Sequence, residues 1–277
     1  MKKPYLAIFA LGTCLTAMSA AAQPLPPDIE KTKTVQVAIN LPYIPLEMRD
    51  IQTNELKGFD IDLGKAMADV LGVKLEYQDG AFEAMPPALQ TNRVSMIMSG
   101  FYDTPKRRPT FDFVDYLKAG AQFFAMQSDA SLKTPADLCG KTVTTIRGTS
   151  YPDTIKDFSD QTCVAAGKAP ITVMADTDVP MMMISLRTGR AQAGMQGLES
   201  VPAIMDNEPG TYRPLGDPLT AVYMGMAFTK ENTVLRDAFI SALKQVIANG
   251  TYDDLIKKWK LDLSAYKDVT VNGAALP

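Results

Sequence analysis

The chain has 277 residues, with 28 lysine and arginine residues against 31 aspartate and glutamate residues, and it contains no histidine. The absence of histidine excludes Ser-His and Cys-His nucleophile pairs, most zinc sites and the usual neutral-pH general base, so we predict no metal and no cofactor. The mild acidity gives no reason to expect nucleic acid as a partner, and the length suits two domains of medium size.

Residues 1–22 have the pattern of a secretory signal peptide. Lys2 and Lys3 precede a largely apolar run over residues 5–18, and the A-x-A cleavage site Ala20-Ala21-Ala22 follows. The apolar run is shorter than the roughly 20 residues of a spanning helix, so a membrane anchor is the weaker alternative, as is lipidation at Cys14. We therefore predict an exported, periplasmic protein.

Two cysteines, Cys139 and Cys163, remain after cleavage. An oxidising compartment favours a disulfide between them. Two buried thiols are the alternative, because the sequence alone does not prove the pairing.

The first half of the mature chain alternates strands and helices. Strands are predicted at residues 34–39, 73–77 and 94–98. A helix begins near residue 60, with Asp60 or Asp62 as its cap, and stops at Gly72, while Pro86 and Pro87 open a second helix that ends near residue 92. The order β-α-β-α-β implies a parallel sheet with right-handed crossovers.

The second half repeats this order without sequence similarity. Strands are predicted at residues 141–146, 171–175 and 191–196. One helix runs to about residue 158 with Thr149 or Ser150 as its cap, and another covers residues 180–188. Each half is therefore expected to form a βαβαβ sheet.

Two extended segments, near residues 120–127 and 221–228, are expected to join the halves as a two-strand hinge. Helices at 233–248 and 252–259 then return to the first half. We predict an α/β fold with two lobes: residues 23–122 and 224–277 form lobe 1, and residues 123–223 form lobe 2. Ligands of open α/β sheets bind beyond the strand ends, so the cleft between the lobes is the expected site.

Five stretches of the chain resemble the bacterial extracellular solute-binding proteins of family 3, the periplasmic receptors of polar amino acid ABC importers. They read "YIPLE…LKGFDIDLGKAMADVLGVKLEY", "ALQTNRVSMIMSGFYDTPKRR", "LCGKTVTTIRGTS", "RTGRAQAG" and "GMAFTKEN…ANGTYDDLIKKW". The resemblance spans nearly the whole mature chain and implies the type II periplasmic-binding-protein fold.

The resemblance implies a ligand carboxylate held from both lobes. Arg107 matches the family arginine that grips this carboxylate, and a planar guanidinium suits such a bidentate contact. The turn Gly148-Thr149-Ser150 matches the second-lobe turn that meets the same group at a helix N-terminus. The simpler alternatives are a surface arginine and an ordinary helix cap.

Further ligand contacts follow from the same resemblance. Tyr43 and Phe82 match aromatic residues that surround the ligand side chain, and packing in the core is the alternative for each. Ser99 and Gly100 end a predicted strand and are expected to offer backbone groups to the ligand.

The chain departs from the family pattern at the expected ammonium site. The register that usually holds an aspartate reads Gly197, so the carboxylate for an α-ammonium group is missing there. Glu199 or Asp103 is a possible replacement, and both are alternatively solvated loop carboxylates. If neither replaces it, the ligand lacks a free α-ammonium group.

Three further positions bear on the ligand. Asn40 stands where aspartate is common, and Tyr102 stands where a small hydroxyl residue normally contacts the carboxylate. Arg147, beside the turn, would serve a second acidic group or face solvent.

The resemblance implies a binding protein without catalysis, which closes on a small carboxylate-bearing solute as a monomer and presents it to a membrane permease. The alternatives are an exported dehydratase-like enzyme acting on a cyclic carboxylic acid and a ligand-sensing module. An enzyme would need a carboxylate such as Glu199 or Asp103 as its general acid or base, since histidine is absent.

Overall fold

The structure, a computed structural model, describes residues 24–275; the signal peptide predicted for residues 1–22 lies outside them. The α-helices in this range are α1 (Pro27–Thr32), α2 (Phe59–Leu71), α3 (Met85–Gln90), α4 (Tyr151–Thr162), α5 (Val179–Arg187), α6 (Val201–Asn207), α7 (Thr233–Ala248) and α8 (Thr251–Lys258). The strands are β1 (Thr34–Ile39), β2 (Met48–Arg49), β3 (Leu56–Lys57), β4 (Lys74–Asp79), β5 (Met96–Ile97), β6 (Tyr102–Asp103), β7 (Phe111–Ala119), β8 (Ala121–Met126), β9 (Thr142–Ile146), β10 (Thr172–Asp176), β11 (Ala193–Gly197), β12 (Tyr212–Leu215), β13 (Val222–Thr229), β14 (Thr270–Val271) and β15 (Ala274–Ala275).

Two mixed sheets form the two lobes. The first has the strand order β15-β14-β7-β13-β5-β1-β4, with β6 also paired to β13, and the second has the order β10-β9-β11-β8-β12. Within each sheet the βαβαβ strands pair in parallel, as β1 does with β4 and β5, and β9 does with β10 and β11. The predicted two-lobed α/β fold is confirmed.

Helix α2 shows where local sequence signals succeed and where they mislead. It stops at Gly72, which adopts the left-handed conformation that glycine favours, as predicted. The predicted cap was wrong: the N-cap residue is Gly58, and Asp60 lies inside the first turn with no exposed surface. Its carboxylate instead accepts bonds from distant residues.

The chain crosses between the lobes at two adjacent points. Strand β7 of the first sheet leads through Gly120 into β8 of the second, and the return passes through Thr220 into β13 of the first. A Cβ atom at Gly120 would lie 2.2 Å from the carbonyl oxygen of Thr220, so the two crossings pack too closely for a side chain there. Both segments predicted as hinge strands are thus regular sheet strands, and the two crossings lie at their ends. The exact lobe boundaries stay a prediction.

The second lobe carries a disulfide. Cys139 and Cys163 are bonded, which ties the segment before β9 to the end of α4, away from the helix terminus that faces the other lobe. In the described part of the chain, no helix combines the length and the apolar character needed to cross a membrane.

Candidate functional site

A small cavity of about 20 Å³ lies between the lobes, at the ends of the strands. This volume suffices for about one water molecule, because side chains of both lobes fill the rest of the cleft. The lining residues come from both lobes and include eight of the eleven predicted ligand contacts: Asn40, Tyr43, Phe82, Gly100, Tyr102, Arg107, Thr149 and Ser150, together with Ile146, Tyr151, Val179 and Gln196.

Arg107 spans the cleft from the first lobe. Its Nη1 donates to the carbonyl oxygen of Tyr102 at 3.0 Å, and its Nη2 donates to the carbonyl oxygen of Gly148 at 3.1 Å. The guanidinium carbon lies 3.9 Å from the ring centroid of Phe101. Burial lowers the pKa of Arg107 to about 10, which still leaves the group charged at neutral pH. A cation held flat on an aromatic ring is preorganised for a carboxylate.

The turn opposite Arg107 connects β9 to α4. Gly148 has φ of +79°, and a Cβ atom there would lie 2.8 Å from the Cβ atom of Glu83, so the close approach of the first lobe requires glycine. The Thr149 hydroxyl donates to the carbonyl oxygen of Ile146 at 2.6 Å, which shapes the turn. The N-cap position is Ser150, but its side chain caps no amide. The first turn of α4 therefore begins directly after the Gly148 carbonyl that Arg107 contacts.

Glu199 lies in the cleft among three tyrosines. The Tyr43 hydroxyl donates to Glu199 Oε1 at 2.5 Å, and the Tyr102 hydroxyl donates to the same oxygen at 3.2 Å. Tyr151 in turn donates to the Tyr102 hydroxyl at 3.0 Å. Burial raises the pKa of Glu199 from its ordinary 4.5 to about 7, and the bonds from Tyr43 and Tyr102 lower it in part. This carboxyl group can therefore change its charge near neutral pH.

Gly197 provides the space that Glu199 occupies. A Cβ atom at Gly197 would lie 1.6 Å from Glu199 Oε1. The chain turns directly after β11, where the Ser200 amide donates to the carbonyl oxygen of Gly197 at 2.9 Å, and this turn brings Glu199 back over the strand end. The Glu199 carboxyl group thus occupies the space beside residue 197 that a side chain there would fill.

Asp103 and Arg147 are both engaged away from the cavity lining. Asp103 forms a two-bond ion pair with Arg108, at 2.7 and 3.0 Å. Arg147 pairs with Glu83 at 2.9 Å across the lobes. Of the two carboxylates considered for the ammonium site, only Glu199 contacts the residues of the cleft.

Ser99, Gly100 and Asn40 form the floor of the site. The Ser99 hydroxyl accepts from the backbone amide of Asn40 at 2.9 Å and donates to Glu47 at 2.5 Å, and the Gly100 amide donates to Asp60 at 3.2 Å. The Gly100 amide, a backbone group that was expected to face the ligand, is thus directed to a buried carboxyl group, as is the Ser99 hydroxyl. They hold the floor in place.

Sequence reasoning missed Tyr151, Gln196, Ile146 and Val179, which line the cavity. The signal for Tyr151 was its position, since it follows the predicted turn directly and begins α4. The others carry no local signal, because they face the cleft only through the packing of the two lobes.

Direct contacts hold the lobes together around the cavity. Lys106 pairs with Asp153 at 2.8 Å, and the Ser200 hydroxyl donates to the carbonyl oxygen of Ile44 at 2.7 Å. Together with the bonds of Arg107 and Glu199, they describe a closed cleft. A solute of amino acid size can enter only when the lobes separate.

Comparison with known proteins identifies a family. The family described as "Bacterial extracellular solute-binding proteins, family 3" matches residues 35–262. The arginine-binding protein ArgT of Corynebacterium glutamicum is 28% identical over 249 residues, which cover 90% of this chain and 81% of that protein. The histidine-binding periplasmic protein of Salmonella typhimurium is 27% identical over 274 residues, covering 96% and 99% of the two chains.

Solved structures agree with these relatives. An ancestral arginine-binding protein bound to arginine has a TM-score of 0.74 and 28% identity, covering 82% of this chain and 98% of the other. The ancestral amino acid-binding protein AncCDT-1, a precursor of cyclohexadienyl dehydratase, has a TM-score of 0.75 and 28% identity, covering 84% and 97%.

Proposed function

The chain belongs to the bacterial extracellular solute-binding proteins of family 3, and from this premise we propose that it binds an α-amino acid as a zwitterion between Arg107 and Glu199. The protein is an amino acid solute-binding component of ABC import. The observation that carries the proposal is the position of the Glu199 carboxylate in the space left by Gly197.

The carboxylate end of the ligand binds at the junction of the lobes. Arg107 offers two guanidinium nitrogens there, and these now bond backbone carbonyls that a stronger acceptor can replace. The amides at the start of α4, beyond Gly148, complete the site from the second lobe. Because both lobes contact the same group, the ligand stabilises the closed form.

The ammonium end of the ligand binds to Glu199. An amino acid that lost its buried counter-ion would bind roughly 2 to 5 kcal/mol more weakly, which is a factor of about 30 or more in affinity. Glu199 removes that penalty, because its carboxylate lies 1.6 Å from the place of a Cβ atom at residue 197. The ligand class is therefore the free amino acid, and the alternative of a ligand without an α-ammonium group is the less favoured one.

Aromatic residues receive the ligand side chain. Tyr43, Phe82, Tyr102 and Tyr151 surround the cavity with ring faces and hydroxyl oxygens. Ring faces attract cations, and hydroxyl oxygens accept from their N–H groups. Because the named relatives include arginine-binding and histidine-binding proteins, a basic or polar L-amino acid is the proposed ligand.

Delivery to a permease follows from closure. The protein acts as a monomer in the periplasm after loss of residues 1–22. The two crossings at Gly120 and Thr220 let the lobes separate and close. One lobe comprises residues 23–122 and 224–277, and the other comprises residues 123–223. The closed form brings the outer faces of the two lobes into one arrangement that a membrane permease recognises.

The experiment is a thermal shift of the ligand-stripped mature protein against free L-amino acids, N-acetylated amino acids, opines and dicarboxylic acids. A ligand at about 1,000 times its dissociation constant stabilises by about 4 kcal/mol, which raises the melting temperature by several degrees. We expect L-arginine or another basic amino acid to give the largest shift. A response confined to compounds without a free α-ammonium group would contradict the role of Glu199.

A second candidate is an exported enzyme on this fold. It is favoured by the Glu199 carboxyl, which lies in the cleft with a pKa of about 7, a value suited to a general acid. The similarity to a precursor of cyclohexadienyl dehydratase points to the same class. Incubation of the pure protein with a ring-bearing hydroxy acid distinguishes the two: a binding protein forms no product, and an E199Q variant abolishes product formed by an enzyme.

A further inference from the structure

Two carboxyl groups lie side by side beneath the floor of the site. Glu47 follows the loop that carries Tyr43, and Asp60 is the second residue of α2; both side chains are fully buried. The Asp60 amide donates to the carbonyl oxygen of Leu46, the residue before Glu47, at 2.9 Å, and the two carboxyl groups are close enough for each to shift the pKa of the other. Neither lines the cavity, and neither is among the residues proposed to contact the ligand.

Each carboxyl group has one oxygen that accepts from the floor. Glu47 Oε1 accepts from the Ser99 hydroxyl at 2.5 Å. Asp60 Oδ2 accepts from the Gly100 amide at 3.2 Å and from the Tyr116 hydroxyl at 2.9 Å. Among residues 24–275, no other donor reaches the remaining oxygens, Glu47 Oε2 and Asp60 Oδ1. One buried oxygen on each carboxyl group is therefore left without a partner.

A proton between these oxygens accounts for the arrangement. Two ionised carboxylates in contact repel each other in a buried site, and in the described residues no lysine or arginine bonds to either group. One proton converts the repulsion into an O–H···O hydrogen bond. Asp60 accepts from two donors of the floor and Glu47 from one, so Asp60 is the better acceptor and Glu47 the donor.

We propose that Glu47 and Asp60 share one proton, held on Glu47, and that this acid–carboxylate pair positions the ligand-binding loops of the first lobe. Glu47 and Asp60 are positioning residues, because neither touches the ligand. The expected effects on ligand affinity rest on the proposed function.

The pair connects segments that are far apart in the chain. The Tyr43 amide donates to the carbonyl oxygen of Glu47 at 2.7 Å, which closes the loop that carries the Tyr43 ring. A Cβ atom at Gly100 would lie 2.0 Å from Tyr43 Cε1, so the Tyr43 ring rests on the peptide that Asp60 holds. Displacing either carboxyl group shifts this ring, and the ring hydroxyl holds Glu199.

The charged and titratable neighbours favour one proton on the pair. The negative charge of Asp79, at the end of β4, raises the pKa of Glu47, and that of Glu199, from the second lobe, raises the pKa of Asp60. The hydroxyls of Tyr77 and Tyr116 complete the surroundings. Burial raises the pKa of Glu47 well above its ordinary value and that of Asp60 to about 7, and the neighbouring carboxylates add to both shifts.

Infrared spectroscopy of the ligand-free protein tests the proton directly. At roughly pH 9, about two units above the pKa values of Glu199 and Asp115, those groups are ionised. The wild type is expected to retain the carbonyl stretch of one protonated carboxyl group, and E47Q is expected to lack it. Absence of the band from the wild type, or its survival in E47Q, would overturn the proposal.

Substitutions of Glu47 and Asp60 test their positioning role. E47A removes the acceptor of Ser99 and the donor to Asp60, and is expected to weaken binding of the L-arginine probe about tenfold or more. E47Q keeps an acceptor and an N–H donor and is expected to restore affinity to within about threefold. D60N keeps one oxygen for the Gly100 amide and the Tyr116 hydroxyl but presents an N–H donor where the Glu47 O–H needs an acceptor, so it is expected to resemble E47A.

The test of the shared proton does not depend on which ligand the protein binds. If L-arginine fails to bind the wild type, the infrared result still decides on the proton, and the free energies of unfolding replace affinity in ranking the variants. Equal losses for E47Q and E47A would show that a neutral donor at residue 47 is not what the floor requires, and the proposal would fail. A D60N variant that does not fold leaves the comparison of E47Q with E47A decisive.

Discussion

The hydroxyl of Tyr43 donates a 2.5 Å hydrogen bond to Glu199 Oε1, and this bond joins the first lobe to the second inside the cleft. The same carboxylate is the proposed anchor for a ligand ammonium group. In the closed form without ligand, the tyrosine hydroxyls satisfy Glu199, and a ligand has to offer it a stronger donor. A charged ammonium group does so, because it adds the attraction between opposite charges to the hydrogen bond, which a neutral hydroxyl does not.

Glu199 makes the stability of the ligand-free protein depend on pH. Burial raises its pKa from 4.5 to about 7, so between these values the folded state binds more protons than the unfolded state. Stability is therefore complete below about pH 4.5 and falls as the pH rises to about 7, by about 3 kcal/mol for this shift. E199Q is expected to match the wild type near pH 4.5 and to be more stable near pH 8. Urea unfolding at both pH values measures the difference.

The exposed residue Glu231 supplies the control for this prediction. E231Q makes the same chemical change on the surface, and its pH dependence is expected to follow the wild type. If E199Q also follows the wild type, the Glu199 carboxyl does not titrate in the folded protein as described.

Arg107 is expected to control affinity for any carboxylate ligand. R107A leaves the ligand carboxylate without its cation, and a loss of about 100-fold in affinity is expected. K106A is the matched control, because Lys106 is an adjacent cation whose side chain is 83% exposed, and its pair with exposed Asp153 contributes little; affinity within about fivefold of the wild type is expected. Isothermal titration with the best amino acid of the panel measures both. Equal effects of the two variants would contradict the carboxylate site.

The disulfide is expected to affect stability and to leave ligand binding unchanged. It closes a loop with a sequence separation of 24 residues, for which the chain-entropy relation gives about 3 kcal/mol of stabilisation. It lies at the far end of α4 from the Gly148 turn, so the cleft geometry does not depend on it. Reduction, or a C139A/C163A variant, is expected to lower the free energy of unfolding by that amount. A change of more than about threefold in affinity would show that the disulfide also shapes the cleft.

Local patterns in the sequence were enough for the elements whose stabilising contacts are local. The end of helix α2 was predicted from its glycine stop, and the turn at Gly148 from the resemblance of its sequence to the family turn. Strand β7 was not predicted, because the charged residues Asp112 and Asp115 interrupt its apolar pattern. Their partners lie more than 100 residues away: Lys230 donates to Asp112, and Thr270 donates to Asp115.

The candidate site likewise contains residues that the sequence predicts and residues that only the fold identifies. Arg107 could be found from its motif, but the choice between Glu199 and Asp103 needed the fold, since only the packing of the lobes shows which carboxylate enters the cleft. Asp60 has the sequence context of a helix cap, and its real partners are Tyr116 and Gly100. A buried carboxyl group is defined by its non-local partners, and one sequence does not contain that information.

A carboxylate at residue 197 is expected to replace the one that Glu199 supplies. G197A puts a methyl group where Glu199 Oε1 lies, which displaces the carboxylate, and E199A removes it; each is expected to weaken binding of a free amino acid by about 30-fold or more. The double variant G197D/E199A supplies a carboxylate from the position that is usual in the family, with the space freed by the loss of the glutamate side chain. We expect it to recover most of the lost affinity, as measured by titration calorimetry. G80A is the control for adding a methyl group, because a Cβ atom there meets nothing within 4 Å. A double variant no better than E199A would mean that the ammonium group is not bound at this end of β11.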